Sequence, residues 1–176
     1  MKKYELLIDD TIDIFGVTLF RIKALISFGA VKKGDLGGYV EKEDNLYHSD
    51  NAWVSGNAKV YGNAEVYGDA KVYGDAWVSD NAWVYGDAEV SGDAWVYGNA
   101  KVYGDADYIV FKNHWSSGRY FTYTKSNKMW KVGCFYGTGQ ELIEKAYRDS
   151  ENSGKNYEAY VKFVEKLEEI NNEKHN

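Results

Sequence analysis

Hydrophobic residues in the middle of the chain recur with a strict period of six. Residues 51–104 form nine consecutive hexapeptides of the pattern Asn/Asp-Ala-x-Val-Tyr/Ser-Gly, with Asp80 the only departure from glycine. Because side chains of a strand alternate between its two faces, each Val and the Ala two residues before it point to one side, and the residues flanking Val point to the other. The pattern predicts one short strand per hexapeptide, with Val and Ala inside.

The Gly-Asn or Gly-Asp pair between hexapeptides predicts a turn every six residues, since these residue types tolerate positive φ, and Asp80 suits the same position. An α-helix is disfavoured because Gly and β-branched Val recur throughout. Antiparallel hairpins fit poorly, because six residues leave too little length for a paired strand and its turn. A solenoid whose short strands stack in parallel buries a continuous Val/Ala column.

The repeats resemble the hexapeptide motif of left-handed parallel β-helix proteins, as in Val54-Ser55-Gly56-Asn57-Ala58-Lys59 and its successors. The resemblance implies three hexapeptides, or 18 residues, per coil. Sorting the turn residues by 18 gives one corner that is purely asparagine, which is consistent with a stacked amide ladder. This all-Asn corner contains Asn45, Asn63, Asn81 and Asn99.

The segments on either side of the repeats predict appended parts. Residues 1–44 are predicted to form an N-terminal β cap, with strands at 4–8 and 17–26 and a turn at the glycines before residue 39. The β-helix itself is predicted over 45–106. Its first hexapeptide is degenerate, with Leu46 in the Ala position and His48 in the inward Val position.

Residues 107–176 predict a small C-terminal α+β unit. Aromatic and β-branched residues alternate over 107–112, 119–124 and 129–135, which indicates three strands. Thr138 and Glu141 form the signature of a capping box that opens a helix. A second amphipathic helix is predicted from apolar residues at helical spacing. These apolar residues are Tyr157, Tyr160, Val161, Val164, Leu167 and Ile170.

The combined arrangement is similar to a group of bacteriophage and prophage proteins. The similarity lies in the segment from Gly37 to Leu46, in Ser117-Gly118-Arg119, and in the segment from Gly133 to Gly137. It implies a phage or prophage origin and a location in the bacterial cytoplasm. The group implies no specific biochemical activity.

Composition and charge exclude some classes of binding partner. The net charge of -6 and the absence of a Lys/Arg block argue against a nucleic-acid surface. No apolar run approaches the roughly 18 residues of a membrane span, and no signal-peptide core is present. The single cysteine, Cys134, is consistent with a reducing cytoplasm and is predicted to be buried.

Candidate chemistry is sparse. Many proteins of the resembled fold are acyltransferases that use a histidine base, so acyl transfer from acyl-coenzyme A is the alternative function. Its only candidate bases are His48 and His114, since the repeats hold no histidine and His175 lies in the charged C-terminus. Asp69 and its stacked equivalents could hold Ca²⁺ between coils, and the turn before the first helix could hold a phosphate. In both places an ordinary solvated turn is the favoured interpretation. No cofactor and no metal is predicted.

The outside of the coil is unusual, because ten outward positions of residues 51–104 are aromatic. The first face carries Lys59, Tyr61, Trp77, Ser79, Trp95 and Tyr97. The second face carries Glu65, Tyr67, Trp83, Tyr85, Lys101 and Tyr103. The third face carries Trp53, Ser55, Lys71, Tyr73, Glu89 and Ser91, with an expected Lys71–Glu89 pair between coils. Four aromatics on each of the first two faces indicate an interface, whereas the third face is predicted to meet water.

The sequence thus predicts a non-catalytic phage-type binding or assembly protein. It is expected to form a homo-oligomer, as a trimer, through the all-Asn corner and its flanking aromatics, with Trp83 and Trp95 as anchors. Its caps are expected to bind a host or phage protein or a small ligand. One form of this hypothesis is that the protein antagonises host defence. Tyrosine ladders that only stabilise stacked strands remain the alternative interpretation of the aromatic faces.

Overall fold

The chain folds around a parallel β-solenoid. The structure, a computed structural model, describes residues 1–174. Nine two-residue strands form the body of the solenoid, one in each hexapeptide, as the sequence predicts. Their bounds are Trp53–Val54 (β4), Lys59–Val60 (β5), Glu65–Val66 (β6), Lys71–Val72 (β7), Trp77–Val78 (β8), Trp83–Val84 (β9), Glu89–Val90 (β10), Trp95–Val96 (β11) and Lys101–Val102 (β12).

These strands stack in three parallel sheets, one for each face. The first face contains β5-β8-β11, the second β6-β9-β12 and the third β4-β7-β10. Partner strands lie 18 residues apart in sequence, so Val66, Val84 and Val102 lie above one another. The stacking confirms the predicted mainly β class, a parallel β-helix with an 18-residue coil.

The inside of the solenoid is a column of Val and Ala side chains. All the Val and Ala residues from Ala52 to Val102 are 0–1% exposed. Full burial of one valine contributes about 1.5 kcal/mol or more, so this column is the main source of stability. At the corners Asp80 has a φ of 64°, close to that of the equivalent glycines, as predicted. Of the predicted amide ladder one step is present, in which Asn63 Nδ2 donates to Asn81 Oδ1 at 3.2 Å, whereas Asn81 Nδ2 donates to Asp80 and Asn45 Nδ2 donates to the carbonyls of Gly62 and Ala64.

The N-terminal strands continue the sheet of the first face. An antiparallel hairpin of β1 (Tyr4–Ile14) and β2 (Val17–Ala24) is followed by β3 (Leu36–Val40). Strand β3 pairs with β2 on one side and with β5 on the other, which gives a six-stranded sheet, β1-β2-β3-β5-β8-β11. The prediction of only a turn before residue 39 is therefore wrong, because the open edge of β5 recruits this segment as a strand.

The register of the first repeat also differs from the prediction. Leu46 bridges to Val66, 20 residues later, instead of at the regular spacing of 18. Leu46 therefore takes the inward Val position and is fully buried. The placement of Leu46 in the Ala position and His48 inside is wrong, since the larger leucine fills the open end of the core.

Two side chains close this end of the solenoid. Tyr4 is fully buried, and its hydroxyl donates to the carbonyl of Leu46 at 2.7 Å. The ammonium of Lys3 donates to the carbonyl of Ala52 at 2.7 Å. Both groups satisfy backbone carbonyls that a solenoid end would otherwise leave buried without donors.

The C-terminal unit is a four-stranded antiparallel sheet with two helices. Its elements are β13 (Tyr108–Lys112), β14 (Tyr120–Thr124), β15 (Met129–Val132), β16 (Phe135–Gly137), α1 (Gly139–Asp149) and α2 (Glu151–Glu173). The predicted capping box is present, with Thr138 Oγ1 accepting from the Glu141 N–H at 3.3 Å. No helix among residues 1–174 is long and apolar enough to cross a membrane.

One predicted strand of this unit is divided. Gly133, with a φ of 55°, and Cys134 form the turn between β15 and β16. The prediction of a continuous strand over 129–135 is wrong for that reason. Cys134 is exposed at this turn, so the prediction that it is buried is wrong as well.

The C-terminal sheet covers the last coil. The backbone N–H of Trp95 donates to Thr122 Oγ1 at 2.9 Å, and the N–H of Lys101 donates to Ser126 Oγ at 2.7 Å. In the preceding coils the equivalent amides bond to carbonyls of the next coil. Side-chain hydroxyls thus cap the last strand edge.

Candidate binding groove

His48 is held in the N-terminal cap. Its Nδ1 accepts a hydrogen bond from the Lys3 N–H at 3.1 Å, and its Nε2 lies 3.3 Å from a carboxylate oxygen of Glu43. The ring stacks on Tyr4 with centroids 4.4 Å apart. A general base needs a free nitrogen that faces the substrate, and both nitrogens of this imidazole have partners. The arrangement suits a capping residue.

His114 lies in the loop after β13. Its Nδ1 is 3.3 Å from the hydroxyl of Tyr160, and its ring packs edge to face on Trp115 at 5.3 Å. His175 lies outside the described residues. No group of three or more His, Cys, Asp or Glu side chains within residues 1–174 is placed to hold a metal ion.

The third face carries the polar pair that the sequence predicts. Lys71 Nζ lies 2.8 Å from Glu89 Oε1, and both side chains are exposed. The aromatic at its first coil, Trp53, is 7% exposed because the cap covers it with the ring of Phe28 at 5.4 Å. This face therefore presents charge to the solvent and no large aromatic patch.

The first face is covered in part by other segments of the same chain. Trp95 and Tyr97, both predicted to lie in an interface between copies, contact the C-terminal sheet. Tyr136 packs edge to face on Tyr97 at 4.9 Å, and Asn127 Nδ2 donates to Asn99 Oδ1 at 3.1 Å. Residues of the last coil that were predicted to contact another copy therefore contact the C-terminal unit of the same chain.

A groove of about 740 Å³ remains on this face. Its floor is the first face of the solenoid, one wall is the tip of the β1–β2 hairpin, and the other wall is the C-terminal sheet. The lining residues are Phe15, Tyr61, Gly62, Ser79, Asp80, Trp95, Tyr97, Arg119, Tyr120, Lys131, Gly133 and Cys134. Three segments far apart in sequence therefore converge on one aromatic surface.

Trp95 is fixed in the floor of this groove. Its indole N–H donates to Ser79 Oγ at 3.0 Å, and Ser79 is fully buried. Its ring also lies 5.1 Å from that of Trp77. A ring held by these contacts loses little further freedom when a ligand packs on it, which favours binding.

Lys131 is the unusual charge of the groove. Lys131 is 8% exposed, and its ammonium lies 4.2 Å from the ring centroid of Trp95 and 4.4 Å from that of Tyr97. Burial lowers the pKa of Lys131. The ion pairs of residues 1–174 do not include it. A largely buried cation that packs on two aromatic rings and has no ion-pair partner among the described residues is an attractive position for an anion.

Two more charged groups border the groove. Arg119 adds a second cation just before β14, and Asp80 supplies one carboxylate at the solenoid corner. Asp80 Oδ1 accepts from Asn81 Nδ2 at 3.3 Å. With Lys131 and Arg119 against Asp80, the lining has an excess of positive charge in a chain whose net charge is -6.

Phe15 occupies a strained position at the tip of the hairpin. It has a φ of 51°, and Gly16 after it has a φ of 83°, so the two form a tight turn with two left-handed residues. Asn, Asp and Gly are favoured there, and a bulky aromatic is an outlier. The ring is 82% exposed and lies 6.1 Å from Trp77. Such strain at an exposed side chain points to a functional role.

The second face is the aromatic surface that remains open. Tyr67, Tyr85 and Tyr103 form a ladder with successive centroids 5.2 and 5.3 Å apart. Tyr103 is 61% exposed, and Trp83 is 36% exposed beside them, with the Lys101 ammonium 4.5 Å from its ring centroid. The described cap and C-terminal unit do not enclose this face as they enclose the first.

A second, more polar depression of about 450 Å³ lies beside His48. Its lining includes three carboxylates, those of Glu43, Asp44 and Glu65, and only one aromatic ring besides the imidazole, that of Tyr47. The acidic lining disfavours the phosphate groups of coenzyme A. We therefore take the groove on the first face as the candidate site.

The sequence predicted the aromatic residues of the groove floor as part of an interface between copies, and it did not predict the groove or its walls. Phe15, Arg119, Tyr120, Lys131 and Cys134 were not among the predicted site residues. The Phe-Gly pair between two strand-like segments was the available signal, because an aromatic in a two-residue hairpin turn is unexpected. Nothing in the repeat pattern shows that the C-terminal sheet folds over the first face.

No family model matches this chain, and a search of curated proteins finds no match. The geometry and chemistry of the groove therefore carry the functional assignment.

Proposed function

We propose that this protein is a non-catalytic binding and assembly protein that holds a small ligand in the groove of its first face. The solenoid supplies a rigid aromatic floor, and the hairpin and the C-terminal sheet supply the walls. The observation that carries this proposal is the convergence of these three segments around Lys131, a largely buried cation without an ion-pair partner among the described residues. Concave sites with aromatic lining and a few polar groups are typical of ligand binding.

The phage assignment remains part of the proposal and rests on the flanking segments. A protein of this type would act in the cytoplasm of an infected or lysogenic bacterium. Sequestering a small host molecule would be one way to antagonise host defence, and it would require no catalytic residue.

Cys134 offers a direct test, because this single exposed cysteine lines the groove. Protein is alkylated with a bulky maleimide and then equilibrated with a small-molecule extract of bacterial cells. Bound molecules are released by denaturation and identified by mass spectrometry. We expect the unmodified protein to retain a molecule that the alkylated protein does not retain.

The matched control is Cys134→Ser exposed to the same reagent, which should retain the molecule as well as untreated protein does. Equal retention by blocked and open protein would contradict binding in the groove. Retention of nothing by the open protein would contradict the function as proposed.

We also propose self-association, and we place it on the second face. The open Tyr67–Tyr85–Tyr103 ladder and the exposed Trp83 favour it, since large exposed aromatic patches mark interfaces. A trimer is the proposed form, and the mass of the protein in solution tests it.

A further inference from the structure

The chemistry of the groove also indicates the class of its ligand. We propose that it binds a flat aromatic ring that carries a phosphate, which is the chemistry of a nucleoside monophosphate. This inference rests on the proposed function of the groove. It adds which ligand groups the floor and the walls recognise.

The ring is recognised by aromatic side chains on the floor and both walls. Tyr61, Trp95 and Tyr97 lie on the floor, Phe15 lies at the hairpin tip, and Tyr120 lies on the opposite wall. Stacking of a base on an aromatic side chain contributes about 1–3 kcal/mol. An aliphatic ligand would gain hydrophobic contact here but would not gain stacking.

The phosphate is recognised by the cations on one wall. Lys131 lies in β15 and Arg119 directly precedes β14, so both cations lie on the wall that the C-terminal sheet forms. The carboxylate of Asp80 lies apart from them, at the solenoid corner. Arg presents a planar fork that matches phosphate oxygens, and Lys adds a point charge. The pairing of a ring floor with a cationic wall favours a ligand that carries both groups over either group alone.

Phe15 is placed to close over the bound ring. It is held in a left-handed turn and is 82% exposed, although exposing a phenylalanine has no benefit for the isolated hairpin. A ligand ring between Phe15 and the floor would bury it. This accounts for an aromatic at a position where Asn or Gly would relieve the strain.

Isothermal titration with AMP, GMP and UMP tests the ligand class, with each matching nucleoside and inorganic phosphate as separate probes. We expect at least one monophosphate to bind tenfold or more tightly than its nucleoside and than phosphate. Lys131→Met should remove that tenfold preference, while the affinity for the nucleoside remains unchanged.

Lys101→Met is the matched control, because Lys101 makes the same kind of contact with a tryptophan ring on the second face, outside the groove. It should bind as the wild type does. If Lys131→Met fails to fold, Arg119→Ala serves instead, since Arg119 is exposed and should lose affinity for the monophosphate alone.

Three results would overturn the inference: no monophosphate binds, nucleoside and monophosphate bind equally, or Lys131→Met and Lys101→Met lose affinity equally. A molecule that is retained from cell extract and lost on Cys134 alkylation, without binding of any monophosphate, would overturn the ligand class and leave the binding function in place. Retention that ignores alkylation would overturn the binding function itself.

Discussion

Replacing Trp83 by glutamate should dissociate the oligomer. Trp83 is 36% exposed at the centre of the second face, between Glu65 and Lys101 of the neighbouring coils. Full burial of a tryptophan removes about 250 Å² from water, so the exposed part is about 90 Å². At about 25 cal/mol per Å², this area contributes about 2 kcal/mol to each contact that buries it.

A loss of about 2 kcal/mol weakens each contact by roughly 30-fold, and burying the new carboxylate adds a further penalty. Multi-angle light scattering across a concentration series measures the effect. We expect an oligomeric wild type and a Trp83→Glu variant whose mass falls to that of the monomer at micromolar concentration.

Two control variants separate this surface from the rest of the solenoid. Lys71→Glu introduces the same acid on the exposed third face and should keep the oligomeric mass. Trp95→Glu alters the groove floor and should also keep the mass, while it loses the retained ligand. A monomeric wild type, or a Trp83→Glu variant of unchanged mass, would refute the assignment of the interface.

Three further predictions concern the core, the histidines and the cap. Val84→Asp should abolish soluble folding, because an unpaired carboxylate would replace a fully buried side chain, and a soluble variant with unchanged melting would contradict the coil register. His48→Ala and His114→Ala should leave ligand retention intact. If the wild type turns over acetyl-coenzyme A and either substitution abolishes that activity, the protein is an enzyme instead. Burial lowers the pKa of Lys3 to about 8 from 10.5, so between these values the unfolded state binds more protons. The free energy of unfolding of the wild type should therefore rise relative to that of Lys3→Met from pH 8 to pH 10, and a constant difference in a melting series would be the contrary result.

The regular part of the fold could be predicted because each hexapeptide repeats the same local choice. Val84 illustrates this, since its inward direction follows from strand periodicity alone and its partners follow from an 18-residue coil. The Lys71–Glu89 pair is correct for the same reason. Local pattern and global stacking agree at every coil of this segment.

Prediction was less successful where the period breaks. Leu46 occupies the Val position because two additional residues enter the first coil, and no periodic rule contains that insertion. The turn at Gly133 and Cys134 interrupts an alternation that looked like one strand. The walls of the groove depend on long-range contacts, such as that of Lys131 with Trp95, which local sequence patterns do not encode.

Hydrogen–deuterium exchange of the protein with and without the small-molecule extract tests the groove most directly, because it reports on each part of the chain separately. We expect slower exchange in three distant segments at once: the hairpin tip at Phe15, the solenoid corner at Gly62 and Asp80, and the turn at Gly133 and Cys134. Peptides that contain Lys101 and Tyr103 should exchange unchanged. Protection confined to those second-face peptides, or no protection anywhere, would contradict the proposal that the first face is the binding site.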